Sequence, residues 1–277
     1  MINNRLYNDL TKAVKNYQKV ALVTVTMHPD SKQLGRKWLM NESGLLEDEK
    51  DVSPEMKKTI VSKLLPYFRR DISKTVQIEF AEGVVECYME MFPVPPRLIV
   101  AGAGHVSEPV AEIGKMAGFH VTVIDDRAEF ANRDRFPTAD EVICTSYLQF
   151  FRTIPLGPET FIVLLTRGHQ FDVVSLQELL RREQELSEGK RTAYIGMIGS
   201  RRRISGVFEQ LKEEFSDHHF SNIYSPVGLD IGGHTPAEIA VSIIAEMLKV
   251  KNGKSGVSLK EQMPSYSKLK FRERVSK

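Results

Sequence analysis

The sequence of 277 residues predicts an α/β protein, with a small α+β domain followed by a domain built on a mostly parallel sheet. Short apolar segments after residue 97 alternate with helical patterns, which is typical of buried parallel strands covered by helices. Two segments before residue 92 alternate apolar with polar residues, which favours an antiparallel hairpin. Three prolines within residues 92–96 separate the two patterns and exclude a helix there. The predicted parts are residues 1–92, residues 97–251 and a basic tail over residues 252–277.

The elements of the N-terminal domain follow from periodicity and capping. Leu6, Leu10 and Val14 share one stripe of a helix over residues 2–17. Ser53 and Pro54 are a good N-cap and first helical residue for a second helix. The predicted strands are residues 20–26, a weaker strand at 36–40, and a hairpin of 75–80 with 84–91.

The elements of the C-terminal domain alternate between strands and helices. Strands are predicted at residues 97–101, 120–125, 141–144, 160–165 and 192–198, and helices at 105–117, 171–184 and 201–215. Thr235, Pro236 and Glu238 form a capping box that begins a last helix. The stretch from Lys251 onward carries eight basic and two acidic residues, which is typical of a solvated tail.

Composition narrows the class of protein. A hydrophobic fraction of 42% suits a globular core, and a net charge of +2 gives no general attraction to nucleic acid or to an anionic membrane. The two cysteines form no CxxC pair, so no zinc site is expected and a reducing cytoplasm is favoured. No signal peptide is expected, because the first 20 residues contain no apolar core segment, and no apolar run approaches the roughly 20 residues that span a bilayer.

The sharpest motif is LIVAGAGHVSEPVAEIGKMAGFHVTVIDD, which joins two predicted strands through a glycine-rich turn and a helix. Gly102 permits a tight turn, Gly104 lets a pyrophosphate approach the backbone, and Ser107 is small enough for close helix–strand packing. Asp125 ends the second strand 23 residues after Gly102, where an acid can accept ribose hydroxyls and repel a 2′-phosphate. These features predict a Rossmann-like sheet that binds a dinucleotide, with NAD favoured over NADP.

Polar residues follow the other predicted strands. Open α/β sheets gather ligands beyond the carboxyl ends of their strands. His105, His169, Ser200, Arg201 and Asp230 are therefore expected to line one crevice. Gly199 and Ser200 at a helix start, followed by arginines, suit an anion such as phosphate.

Three ordered stretches carry a family resemblance: GAGHVSEPVAEIGKMAGFHVTVIDDRAEFANRDRFP, YIGMIGSRRR and PVGLDIGGHTPAEIAVSIIAEML. Across roughly residues 97–250 the chain resembles the xanthine dehydrogenase accessory factor family, XdhC/CoxI. The resemblance implies a cytoplasmic bacterial protein that binds the molybdenum cofactor, assists its terminal sulfuration and delivers it to a molybdenum hydroxylase. The candidate cofactor-binding residues are Gly102, Gly104, His105, Ser107, Asp125, Asp126, Arg127, His169, Gly199, Ser200, Arg201 and Asp230.

The N-terminal domain departs from the family pattern. The family has a Gly-Ser-Ser-Pro-Arg-like stretch, of which His28 to Met40 retains a remnant, and then a Ser-Gly-Gly-Cys motif. Residues 45–52 read LLEDEKDV at the second motif, and no cysteine precedes Cys87. Cys87 and Cys144 lie in predicted strands, where packed cysteines are expected.

The leading interpretation is an accessory protein that binds molybdenum cofactor or a dinucleotide, acts without its own turnover and forms a homodimer. One alternative is an NAD-dependent oxidoreductase with His105 or His169 as general acid, which substrate-dependent NADH consumption would reveal. Another is a regulatory protein whose affinity for a partner changes with bound nucleotide. Capture of an apo-molybdoenzyme would support the accessory role.

Overall fold

The computed structural model describes residues 4–15, 18–46 and 54–262. It divides into two compact units between Pro95 and Pro96. The N-terminal unit contains α1 (Asn4–Lys15), β1 (Val20–Met27), β2 (Lys37–Asn41), β3 (Gly44–Leu46), α2 (Pro54–Arg69), β4 (Lys74–Phe80) and β5 (Gly83–Phe92). The C-terminal unit contains β6 (Arg97–Ala101), α3 (Ser107–Met116), β7 (His120–Asp125), β8 (Glu141–Cys144), α4 (Tyr147–Thr153), β9 (Thr160–Leu164), α5 (His169–Gln184), β10 (Tyr194–Met197), α6 (Arg201–Leu211), α7 (Asp217–Phe220), β11 (Ile223–Tyr224), α8 (Pro236–Lys251) and α9 (Leu259–Gln262).

The N-terminal unit is an antiparallel sheet in the order β3-β2-β1-β5-β4. Alternate residues of β1 face opposite sides, as the pleat requires. Val23 and its same-face neighbours pack with Ile60 and Leu64 of α2, while Leu22 packs with Leu10 of α1. One helix therefore covers each face of the sheet. The predicted N-cap Ser53 lies outside the described residues.

The C-terminal unit is a six-stranded sheet in the order β11-β10-β9-β6-β7-β8, and every pairing is parallel. Ile99 packs in the cluster formed with α4, α5 and α6, while Val100 packs with α3 and α8 on the other face. This is a three-layer Rossmann arrangement, so the predicted fold class is confirmed. The strand order reverses between β6 and β9, where sheets of this kind bind their ligands.

The connection from β7 to β8 is a loop over residues 126–140 that contains no helix. Arg133 holds its end by donating hydrogen bonds to the carbonyl oxygens of Ala139 and Asp140, both at 2.6 Å. The guanidinium of Arg135 donates to the Ala103 carbonyl at 2.9 Å and pairs with Glu108 in the first turn of α3. The loop is thus attached to the glycine-rich turn after β6.

The last long helix begins as the sequence predicts. Thr235 caps α8 by accepting a hydrogen bond from the Glu238 amide, and the Glu238 carboxylate accepts from the amides of His234 and Thr235 at 2.9 Å. These backbone hydrogen bonds lower the pKa of Glu238 below its usual value. Within the described residues, no helix combines the length and apolar character needed to cross a membrane.

Candidate functional site

The turn from β6 into α3 has the backbone that its glycines predict. Gly102 has φ +115°, a region that L side chains rarely adopt, and its amide donates to the Ile124 carbonyl at 2.8 Å. A Cβ at Gly102 would stand 2.7 Å from the Leu165 carbonyl carbon and overlap the Leu165 oxygen. A Cβ at Gly104 would meet no heavy atom within 4 Å. Gly102 is therefore required by the close approach of β9, whereas Gly104 borders open space.

The start of α3 lacks a side-chain cap and contains a buried hydroxyl. Val106 occupies the N-cap position and makes no side-chain capping bond. The hydroxyl of Ser107 is fully buried and has no hydrogen-bond partner among the described residues. Buried hydroxyls are normally hydrogen-bonded, and helix N-termini attract anions. The combination suits a bound anionic group such as a phosphate.

Asp125 ends β7 and is almost fully buried, with 1% of its side chain exposed. Its two carboxylate oxygens accept hydrogen bonds from the Ala103 amide at 2.9 Å, the Arg127 amide at 3.1 Å and the Tyr147 hydroxyl at 3.2 Å. The Arg127 side chain adds two more, at 2.9 and 3.1 Å. Burial alone would raise the pKa of Asp125, but these hydrogen bonds outweigh it and hold the pKa at about 2. Asp125 is thus an anchor for the turn, and none of its oxygens lacks a donor.

Two arginines stand in front of Asp125. Arg127 pairs with Asp125, and Arg167, three residues after the end of β9, makes a bidentate ion pair with Asp126. Arg167 also approaches Asp125, with Nη1 at 3.8 Å from Oδ1. Each guanidinium lies over an aromatic ring, Arg127 over Phe130 at 3.6 Å and Arg167 over Phe171 at 4.0 Å. The rings and carboxylates hold two cations at the strand ends.

An apolar cavity of about 320 Å³ adjoins this cluster. Tyr147, Leu148, Phe171 and Val174 supply its apolar wall, and Asp126 lies at its edge. Tyr147 and Phe171 meet edge to face, with ring centroids 5.6 Å apart. Planar heterocycles bind in such aromatic, apolar cavities beside a few polar groups.

A second buried pair fixes the end of β9 to α6. Asp172 is fully buried; it accepts a hydrogen bond from the Thr166 hydroxyl at 2.5 Å and from Nε of Arg203 at 2.7 Å. Burial raises the pKa of Asp172, and the Thr166 and Arg203 bonds oppose that change. Among the three arginines after Ser200, Arg203 is therefore the one that points into the protein, while Arg201 is exposed.

The five residues expected to line one crevice all follow carboxyl ends of parallel strands, so they share one edge of the sheet. Within the described residues, however, no hydrogen bond or ion pair joins any two of them. His169 packs its ring against Gly206 of α6, and Ser200 caps α6 through the Arg203 amide. His105, Arg201 and Asp230 are exposed. Gly199 lies beside the Arg203 side chain.

The sequence predicts only part of the hydrogen-bonded cluster around Asp125. Asp125, Asp126 and Arg127 were among the candidates, but Arg167 and Tyr147 were not. The sequence offers one signal for Arg167, its position two residues after the predicted strand over residues 160–165. Tyr147 lies in α4, a helix that the sequence patterns did not predict.

The two cysteines differ in burial. Cys87 is fully buried among the residues of the N-terminal core, and burial raises its pKa to about 11, so its predicted packing is confirmed. Cys144 is exposed at the end of β8, so the expectation that it packs is wrong. An edge strand leaves its last side chain uncovered where the chain turns into α4. Among the described residues, no group of three or more His, Cys, Asp and Glu side chains could hold a metal ion.

Comparison with known proteins identifies the family of the C-terminal unit. The family model of the XdhC Rossmann domain matches residues 98–247. The chain is 30% identical over 190 residues to the uncharacterized protein YqeB of Escherichia coli (strain K12), covering 68% of the chain and 33% of that protein. It is 30% identical over 185 residues to a probable xanthine dehydrogenase subunit of Bacillus subtilis (strain 168), covering 66% of the chain and 52% of that protein. The chain thus spans between a third and about half of these relatives.

A solved structure supports the fold alone. The crystal structure of a xanthine dehydrogenase from Bacillus halodurans matches with a TM-score of 0.50 and 18% sequence identity. The match covers 88% of this chain and 96% of that chain.

Proposed function

The chain belongs to the XdhC family, and from that membership we propose that it is an accessory protein for a xanthine dehydrogenase-type molybdenum hydroxylase. Its Rossmann unit binds a phosphate-bearing cofactor, either molybdenum cofactor or a dinucleotide, and assists maturation or insertion of the client's cofactor. A relative named as a probable xanthine dehydrogenase subunit supports the choice of client class.

The observation that carries the binding function is the turn from Gly102 to Ser107. It offers open space beside Gly104, a helix start without a side-chain cap, and a buried hydroxyl with no partner among the residues described. These three features match the requirements of a phosphate at a helix N-terminus. The residues present therefore fit the phosphate portion of either ligand.

The chain's own residues support binding more directly than turnover. The molybdenum cofactor supplies the redox chemistry of hydroxylation once it is in the client enzyme. Here the turn holds the phosphate, the Tyr147 and Phe171 wall excludes water from a planar ring, and Arg127 and Arg167 offer N–H donors that their Asp125 and Asp126 partners leave unused. Cys87 is buried in the other unit, and Cys144 is the exposed last residue of β8. The proposed phosphate binding at the turn uses neither thiol.

The test is to purify the protein natively and identify the small molecules that it releases on denaturation by mass spectrometry. We expect a pterin or a nucleotide from the wild type and none from Gly104→Val, because a branched side chain would fill the open space. Gly157→Val is the matched control, since a Cβ at Gly157 also meets no heavy atom within 4 Å. Equal ligand in both variants would refute the assignment of the turn.

The accessory role is tested separately by capture of an apo-molybdoenzyme on the immobilised protein. We expect the wild type to capture the apo-enzyme and to raise its hydroxylase activity when molybdenum cofactor is supplied. Substrate-dependent NADH consumption without any effect on a molybdoenzyme would instead show an oxidoreductase. A nucleotide-dependent change in partner affinity without cofactor transfer would show a sensor.

A further inference from the structure

Three charged side chains near the end of β7 are placed to select a ligand: Asp125, Arg127 and Arg167. In dinucleotide sites of this fold, an acid at the end of the second strand accepts ribose hydroxyls, and a nearby arginine accommodates a 2′-phosphate. Asp125 occupies the acid's position, but its oxygens accept five hydrogen bonds from Ala103, Arg127 and Tyr147. A ribose hydroxyl would have to displace one of these donors from a carboxylate that is 1% exposed.

Arg127 and Arg167 each keep an N–H donor beside Asp125 that no described residue uses. The Arg127 side chain uses Nε and Nη2 on Asp125, and its Nη1 has no hydrogen-bond partner among the described residues. Arg167 uses Nη1 and Nη2 on Asp126, and no described residue accepts from its Nε. The side chains are 27% and 36% exposed, so both remain accessible to a ligand. Each plane is fixed against Phe130 or Phe171, which leaves little side-chain entropy to lose.

We propose that the ligand of this site carries a phosphate on its ribose, as a 2′-phosphorylated adenine dinucleotide of the NADP class does, and that Arg127 and Arg167 bind that phosphate. This proposal rests on the proposed nucleotide binding at the Gly102–Ser107 turn. The planar base occupies the adjoining cavity of about 320 Å³ beside Tyr147 and Phe171. The preference is the reverse of the one that the sequence predicts from Asp125.

Substitution of Asp126 distinguishes phosphate binding by Arg167 from a purely structural role, because the two predict opposite changes in affinity. Its carboxylate pairs with Arg167 and would repel an incoming phosphate. Asp126→Asn should therefore tighten binding of a ribose phosphate, because it frees Arg167 and removes a negative charge. A merely structural role for the Arg167–Asp126 pair would predict weaker binding in the same variant.

The experiment is isothermal calorimetry of the full chain with NADP and NAD, and with 2′-AMP and 5′-AMP, at low and moderate salt. We expect NADP to bind at least about tenfold more tightly than NAD, and 2′-AMP more tightly than 5′-AMP. Arg167→Gln should weaken NADP binding about tenfold and change NAD affinity less than about threefold. The double variant with Arg127→Gln should bind NADP and NAD equally. Added salt should weaken NADP more than NAD. Arg181→Gln is the matched control, because Arg181 pairs with Glu214 on the exposed side of α5.

Each result of the calorimetry either supports or overturns the proposed phosphate site. Equal or tighter binding of NAD, or a preference for NADP that survives the double variant, overturns the proposal while leaving nucleotide binding in place. No binding of any of the four compounds overturns both the proposal and the nucleotide function. Because Arg127 also holds Asp125, thermal unfolding must show that Arg127→Gln remains folded. If it does not, Arg167→Gln and Asp126→Asn alone decide, by moving NADP affinity in opposite directions.

Discussion

Replacing Gly102 with alanine should destabilise the C-terminal unit strongly, whereas the same change at Gly104 should not. At Gly102 the backbone has φ +115°, which costs an L residue about 1–3 kcal/mol. The new Cβ would also stand 2.7 Å from the Leu165 carbonyl carbon and 3.1 Å from the Thr166 amide nitrogen. Carbon atoms pack best at about 3.5–4.0 Å, so β6 and β9 would have to separate, at a cost of about 1–3 kcal/mol.

The expected loss for Gly102→Ala is therefore about 2–6 kcal/mol, a large part of the roughly 5–15 kcal/mol that stabilises an ordinary domain. Gly104→Ala should stay within about 0.5 kcal/mol of wild type, because its Cβ meets no heavy atom within 4 Å. Urea unfolding followed by far-ultraviolet circular dichroism measures both values. Equal stabilities for the two variants would refute the reasoning, since only Gly102 combines a positive φ with a crowded Cβ position.

Four further expectations concern single residues and assembly. Asp125→Asn should lower stability at neutral pH. The pKa of Asp125 is depressed from 3.8 to about 2 in the folded state. The free energy of unfolding of the wild type should therefore fall by about 2 kcal/mol relative to this variant as pH falls from 4 to 2. Parallel plots of unfolding free energy against pH for the two proteins would contradict that. An alkylating reagent should modify exposed Cys144 in the native protein and buried Cys87 only after unfolding, as detected by peptide mass spectrometry. Molybdopterin binding should survive the substitution of both cysteines by serine. Tyr194→Phe should cost about 1–3 kcal/mol, measured as a lower Tm, because it removes a 2.6 Å hydrogen bond to buried Glu246; an unchanged Tm would show that this bond adds nothing. The homodimer stays a prediction: light scattering should give twice the chain mass, and a monomer would contradict it.

Most of the sheet could be predicted because its central strands are buried on both faces. Residues 97–101, 120–125 and 141–144 were predicted with the observed bounds, since unbroken apolar runs between helical patterns permit few other structures. The sequence patterns missed β11, which has two residues, and α4, whose aromatic residues give no clear helical stripe. Ser146, which caps α4, was the signal available for that helix.

The candidate site was predicted only where it depends on local sequence. The glycine turn follows from spacing within one segment, and the structure places it as expected. The hydrogen-bond partners of Asp125 did not follow, because they include Tyr147, 22 residues away, and the neighbouring Asp126 pairs with Arg167 across 41 residues. Whether an acid is available to a ligand depends on such distant donors. Periodicity and spacing carry no information about them.

The attachment of Ala103 at both its amide and its carbonyl has a kinetic consequence. Asp125 accepts from the amide at 2.9 Å, and Arg135 donates to the carbonyl at 2.9 Å, so the peptide groups on either side are held before any ligand arrives. A preorganised loop loses little conformational entropy on binding and has no slow rearrangement to complete. Association should then be a single bimolecular step whose rate rises linearly with ligand concentration. Differences in affinity among related ligands should appear mainly in how fast they dissociate.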